Sequence, residues 1–313
     1  MDNVFEERRI TTAFIKKTLR ELAQRMPDKE NVVAIGDVPL EGLVVVLEED
    51  ELPPADCYVI AYEQDDKAAS AMKKVVEAGG TYFSCLRFHP SAEYWRTNSI
   101  AQRVLAEEYS IQMPDAGNRW DTPDFTNITQ AIEATRKVKG CYVEIGVFHG
   151  NSGRIATRYL HDSQIERKCW FVDTFSGFDY QEASSSVDQY WTGTHAVDSK
   201  DRIEAFIRSS IPSDSSLDIS VLRRNVISDE LPDFGEIAVC NLDVDMYEAV
   251  AVGLKRLAPM ITDGGILICE DAGHTPALSG AFHALAEFLE TPAADCFTPI
   301  QMASGQTFLI KNK

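Results

Sequence analysis

The chain has 313 residues, 44% hydrophobic and 25% charged, which excludes a collagenous, coiled-coil or largely disordered protein and leaves room for one large domain or two. Its 49 acidic against 30 basic side chains give a formal charge of −19. Such a surface repels phosphate backbones and anionic lipid heads unless a basic patch concentrates the positive charge, and the sequence holds no such patch. Nucleic acid and membrane are therefore not expected partners.

The N-terminus, MDNVFEERRITTAFIKK, has no apolar run with a cleavage site, and no stretch approaches the roughly 18 apolar residues of a membrane span. A cytoplasmic protein is the expectation. The seven cysteines include no Cys-x-x-Cys spacing. Cys57, Cys141, Cys169, Cys240 and Cys269 lie in strand-length apolar runs, which predicts buried free thiols and not a zinc site.

In chain order, Ile15, Leu19, Leu22 and Met26 predict an amphipathic helix over 5–26, stopped by Pro27 and Asp28. Three β-like runs follow, NVVAIG (31–36), LVVVLEE (43–49) and CYVIAYE (57–63), then a helix that ends on Gly79 and Gly80, and another strand in TYFSCLRFHP. This predicts a small α/β domain over 1–95. It resembles the half-Rossmann modules attached to some sugar-modifying enzymes, although no phosphate-binding glycine motif follows Ile35-Gly36-Asp37. Residues 96–125, which mix aromatic and polar side chains, read as a connector that covers the second domain.

From 126 to 313 strands and helices alternate: CYVEIGVF, CWFVDTF, SVLRRN, IAVCNLDVD and GGILICEDA are strands separated by helices, and a strand pair closes the chain. That alternation predicts a doubly wound α/β sheet with ligands at the C-terminal strand edges. The first of these strands runs into His149-Gly150-Asn151-Ser152-Gly153 and a helix, where glycine lets the backbone approach a ligand and helix N–H groups face it. The next ends in Asp173, 23 residues after Gly150, a spacing suited to the two hydroxyls of a ribose. The pair points to an adenosine-containing ligand.

These residues carry a specific resemblance. Glu144-Ile145-Gly146-Val147-Phe148-His149-Gly150-Asn151-Ser152 is similar to the first motif of class I S-adenosylmethionine-dependent methyltransferases, in the form of the macrocin O-methyltransferase (TylF-like) family. Asp173-Thr174-Phe175-Ser176-Gly177-Phe178 resembles its second motif, Leu242 to Glu248 its fourth-strand motif, and Gly264-Gly265 with Glu270-Asp271-Ala272-Gly273 its fifth. The match covers about 125–313, and it implies a Rossmann-like, seven-stranded methyltransferase sheet preceded by the smaller α/β domain.

The resemblance implies methyl transfer from S-adenosylmethionine to a hydroxyl, commonly on a sugar of a natural product, with Mg²⁺ or another divalent cation. It assigns Glu144, Gly146, Phe148, Gly150 and Ser152 to the cofactor, with Asp173, Thr174 and Phe175 on its ribose side and Asn225 and Val226 near its adenine. Asp243 with Glu270 and Asp271 would hold the cation: carboxylates at neighbouring strand tips repel unless a hard cation sits between them, with solvated acids or helix caps as the alternative. Asp243 is the first candidate to accept the hydroxyl proton, and His274 the second. The family carries two aspartates and a tyrosine where this chain has Glu270, Asp271 and Ala272.

The polar stretch from Tyr180 to Lys200 reads as a lid whose Tyr190, Trp191 and His195 could meet a sugar, or as a plain surface loop. Two rival readings stand. Asp243-Val244-Asp245 also spells the Asp-x-Asp of a metal-dependent glycosyltransferase, which would leave the Glu144 to Ser152 loop and Asp173 without a role. A non-catalytic cofactor-binding module is the other. A small hydroxyl-bearing molecule is the expected partner, and a homo-oligomer is allowed.

Overall fold

A computed structural model describes residues 122–197, 199–273 and 279–312, and before them 32–36, 44–46, 52–55, 57–62, 83–85, 98–112 and single positions between 67 and 78. The helix expected over 5–26 and His274 lie outside the described residues. The chain divides into two compact units, Met1–Trp120 and Asp121–Lys313.

The first unit holds four short parallel strands, β1 (Val32–Gly36), β2 (Val44–Val46), β3 (Cys57–Ala61) and β4 (Phe83–Cys85), in the order β2-β1-β3-β4. Val33, Ala34, Ile35, Tyr58 and Ile60 are buried, so consecutive positions of β1 are covered, as expected of a parallel sheet packed on both faces. The unit also contains helix α1 (Ser99–Gln112). Sequence reading left this stretch as a connector for its mixture of aromatic and polar residues, with Glu108 and Gln112 among the polar ones. Both are buried in the same helix as Ala101, Val104 and Leu105, and the Gln112 amide donates to Glu108 Oε2 at 3.2 Å.

The second unit opens with α2 (Thr122–Ala134), which starts before the apolar pattern does, with Pro123 and Asp124 in its first turn. Its sheet comprises β5 (Cys141–Ile145), β6 (Cys169–Asp173), β7 (Ile219–Arg223), β8 (Ile237–Leu242), β9 (Ile261–Cys269), β10 (Phe297–Gln301) and β11 (Thr307–Lys311). Their order is β10-β11-β9-β8-β5-β6-β7, with β11 antiparallel to both neighbours and the other pairings parallel. Helices α3 (Asn151–Asp162), α4 (Lys200–Arg208), α5 (Tyr247–Leu257) and α6 (Ser279–Leu289) make the connections.

Every residue of β5 and β8 is buried, and Val143, Ile145, Cys240, Leu242, Leu254, Leu267 and Leu309 belong to one continuous core. Cys141, Cys169, Cys240 and Cys269 are buried free thiols, as expected. Burial pushes the Cys141 thiol up to about 11, so it is inert at neutral pH. No described helix is long and apolar enough to cross a membrane.

The chain leaves β5 to one side and β8 to the other, which makes their carboxyl ends the switch point of the sheet. Gly146 occupies this point with φ +89, donates its N–H to Val172 O at 2.9 Å, and lies so close to β8 that any Cβ would overlap the Asp243 carbonyl oxygen. Gly235 also has a positive φ, +67, but faces open space. Gly146→Ala is therefore expected to cost roughly 3–5 kcal/mol and Gly235→Ala only about 1–2. Urea unfolding midpoints of the two variants measure the difference.

Candidate functional site

Beyond the switch point the residues converge from three loops. Glu144, the penultimate residue of β5, is wholly buried and accepts from Tyr142 Oη at 2.7 Å and Ser152 Oγ at 2.8 Å. Burial raises its carboxyl to about 7, the Asp173 charge adds to the rise, and the two hydrogen bonds oppose it. Gly150, in the left-handed region at φ +83, begins α3.

Asp173 braces this loop from the neighbouring strand. Its Oδ2 accepts the N–H groups of Val147 at 2.6 Å and Phe148 at 2.9 Å, and its Oδ1 accepts that of Phe175 at 2.6 Å. A carboxylate offers about four acceptor sites, and the fourth is reached by Thr174 Oγ1 at 3.5 Å from Oδ1, a place a ligand hydroxyl can take when Thr174 donates elsewhere. Thr174 donates to Gly177 O at 3.2 Å, and the Arg223 guanidinium lies over the buried Phe175 ring. Asn225 makes a local turn, its Oδ1 accepting Ile227 N–H at 2.8 Å, while Val226 is buried in the core below.

The acids gather at the tips of β8 and β9. Ligand oxygens of Asp243, Asp245 and Asp271 lie within 4.8 Å of one another. Asp245 enters the group because the backbone turns left-handed there, φ +58, and its N–H donates to Asp271 Oδ2 at 3.0 Å. Glu270, which sequence reading placed with Asp243 and Asp271, is not in this triple. It stays buried beside it, with its N–H donating to Leu242 O at 3.0 Å. Burial first, then Asp271 and Asp245, hold the Asp243 carboxyl well above the usual carboxylate range; burial, Asp243 and Asp271 do the same to Glu270.

Asp124, buried in the first turn of α2, adds its charge to both. Nothing in the sequence flagged it, because an acid in a first helical turn is ordinary.

The segment after β6 folds into an Ω-like loop. Phe178 N–H donates to Thr194 O at 3.0 Å and Gly193 N–H to Phe178 O at 3.2 Å, which closes the loop at its neck around two 3-10 turns, Ala183–Ser185 and Gln189–Trp191. Tyr190 is 88% exposed. His195, left-handed at φ +62, lies among the rings of Phe148 (5.2 Å), Phe178 (4.8 Å) and Trp191 (5.9 Å), its Nδ1 2.7 Å from Thr194 Oγ1. Burial holds its imidazole below the usual value against the opposing charge of Asp271, which couples the loop electrostatically to the acids.

A mixed seven-stranded sheet with a glycine loop at its switch point and an acid at the adjoining tip defines the Rossmann-like methyltransferase fold. The chain belongs to the macrocin-O-methyltransferase (TylF) family, whose model matches residues 119–295, more than half of its 313 residues. A curated relative from Streptomyces olivaceus, 8-demethyl-8-(2,3-dimethoxy-alpha-L-rhamnosyl)-tetracenomycin-C 4'-O-methyltransferase, is 29% identical over 148 residues. That alignment takes in 43% of this chain and 53% of the relative, so the chain spans about half the length of the curated protein it matches.

Among solved structures, the O-methyltransferase NovP superposes with a TM-score of 0.56 at 18% identity, covering 71% of this chain and 100% of its own. The calicheamicin methyltransferase CalS11 does so with 0.52 at 19%, covering 72% and 94%. Both likenesses are of fold.

The donor set fits the groups that the sequence implies. Three carboxylates whose oxygens converge suit a hard, oxygen-ligated cation, and the loop from Glu144 to Ser152 ends on a helix N-terminus able to face a polar ligand. Without a cation the raised carboxyls of Asp243, Glu270 and Glu144 bind protons more tightly folded than unfolded. Stability therefore falls as pH rises, for Glu144 over the window from 4.5 to about 7. Melting in EDTA should drop across that range, and Mg²⁺ should raise the melting temperature by several degrees more at pH 8 than at pH 5. Equal Mg²⁺ effects at both pH values would argue against the cation site.

Proposed function

We propose that this chain transfers a methyl group from S-adenosylmethionine to a hydroxyl of a small polyhydroxylated acceptor, a sugar or glycosylated natural product, with a divalent cation held by Asp243, Asp245 and Asp271. The observation that carries this reading is the convergence of those carboxylates at the edge of the sheet that also bears the glycine loop. Two unit charges about 4.8 Å apart repel by roughly 3–4 kcal/mol at an effective dielectric constant near 20. A divalent cation between them would offset that repulsion.

The sulfonium is an activated methyl donor, so the chain's task is to align the acceptor and take its proton. When bound, a divalent cation lowers the pKa of an alcohol and orients two of its oxygens. Asp243 stands at the tip of β8 with part of its side chain accessible, which suits a proton acceptor. His274 remains the second candidate, outside the described residues. Asp173 would hold the ribose with its remaining acceptor capacity while its other bonds keep the loop in shape.

The S. olivaceus relative, a rhamnosyl-tetracenomycin 4'-O-methyltransferase by name, supports a glycoside acceptor. The glycosyltransferase reading is left without support by membership of the family, and a non-catalytic module is the outcome that the assay must exclude.

The test is calorimetric binding of S-adenosylmethionine, followed by mass spectrometry of a glycoside panel for gain of one methylene, with and without EDTA. Binding without cation-dependent methylation anywhere in the panel would favour the non-catalytic module. Asp243→Asn should lower turnover about 100-fold or more with cofactor affinity nearly unchanged. Asp173→Ala should weaken cofactor binding about tenfold or more, the loss of one charge-assisted hydrogen bond and its brace.

A further inference from the structure

Asp188 lies inside the Ω-like loop yet is only 3% exposed. One carboxylate oxygen accepts the N–H of Tyr247 at 3.0 Å, the other that of Gly280 at 3.1 Å. These are the first residue of α5 and the second of α6, positions whose N–H groups have no partner within their own helix. The contact is close: a Cβ on Gly280 would overlap Asp188 Oδ2. Helix α5 starts two residues after Asp245, and α6 follows the strand that ends at the Glu270-Asp271 turn.

A single buried carboxylate thus ties the loop to both segments that carry the acids, with two positive helix ends to hold its charge. Two other loop residues register the same neighbourhood. The charge of Asp271 acts on the half-buried His195, and those of Glu248, Asp245, Glu182 and Asp188 on Tyr180.

We propose that Asp188 is a positioning residue that pins the loop from Gly177 to Val197 at the carboxylate cluster and thereby sets affinity for the acceptor, a role that rests on the methyl-transfer reading above. The Asp188 bonds go to α5 and α6 and not to the glycine loop, which the Ω-like loop meets at its other end through the Phe148–His195 ring contact, so acceptor affinity should fall well before cofactor affinity does. Asn at 188 keeps one acceptor oxygen but turns an amide N–H₂ against the second backbone N–H.

The experiment uses the full chain and Asp188→Asn. Hydrogen exchange of the 178–197 amides should quicken about tenfold or more. The KM for a rhamnoside, or for whichever panel glycoside the parent methylates, should rise about tenfold while S-adenosylmethionine affinity stays within about twofold. Gly280→Ala, which displaces the same carboxylate without changing its charge, should reproduce the pattern. Loop exchange or acceptor KM at the parent level in Asp188→Asn overturns the proposal, as does an equal loss of cofactor affinity.

If both variants fail to fold, the parent decides. Amides of Tyr247 and Gly280 exchanging as slowly as the loop's own buried amides support the anchor, and exchange at exposed-amide rates refutes it. Should the parent bind no S-adenosylmethionine, the functional reading fails, while loop exchange still reports on the anchor.

Discussion

Everything at the open edge of the second unit is built around the contact between Gly146 and the Asp243 carbonyl. Two parallel strands run side by side until Asp243 N–H donates to Ile145 O at 2.8 Å, and there they part. A side chain at 146 would push them apart one residue sooner. Because there is none, the glycine loop and the acid cluster spring from the same point, and a donor in one loop and an acceptor at the other would be neighbours. Methyl transfer in line demands such nearness.

The second constraint is electrostatic. Asp124, Glu144, Asp243, Asp245, Glu270 and Asp271 are drawn from four elements into a region where burial already disfavours charge. The whole-chain charge of −19 conceals this difference, since an acid dispersed over the surface costs little and one at a strand tip among others costs several kcal/mol. Excess negative charge at large argues about solubility and partners. The concentrated part argues about chemistry.

Most of the second unit was legible in the sequence because its strands are continuous apolar runs and its glycines and acids fall at the strand ends, where chain order alone places them. Glu144, Gly146, Gly150, Asp173, Asp243 and Asp271 all stand at the switch-point edge. What escaped were residues whose position depends on a turn of the backbone or on contact across sequence. Asp245 joins Asp243 and Asp271 through its left-handed backbone, while Glu270 lies buried beside that triple. Asp124 and Asp188 reach their partners over long stretches of chain, and α1 was hidden in a mixture of aromatic and polar residues, two of which it buries. Periodicity cannot register any of these.

The left-handed residues show how the loops keep their shape. Of the five non-glycine residues with positive φ among the described residues, Phe148, Phe175, His195 and Asp245 border the site. Each costs about 1–2 kcal/mol relative to an ordinary conformation, so all four persist only where other bonds over-determine them. The N–H groups of Phe148 and Phe175 go to the Asp173 carboxylate, and that of Asp245 goes to Asp271. Asp173 and Asp271 therefore lock three strained backbones. Removing either would release the turn before any ligand was lost, which is why a carboxylate's contribution to binding here cannot be separated from its contribution to loop shape by alanine substitution alone. An asparagine, which keeps one acceptor oxygen in place, divides the two: the turn survives where one bond suffices, as at Asp271, and is weakened where three are required, as at Asp173.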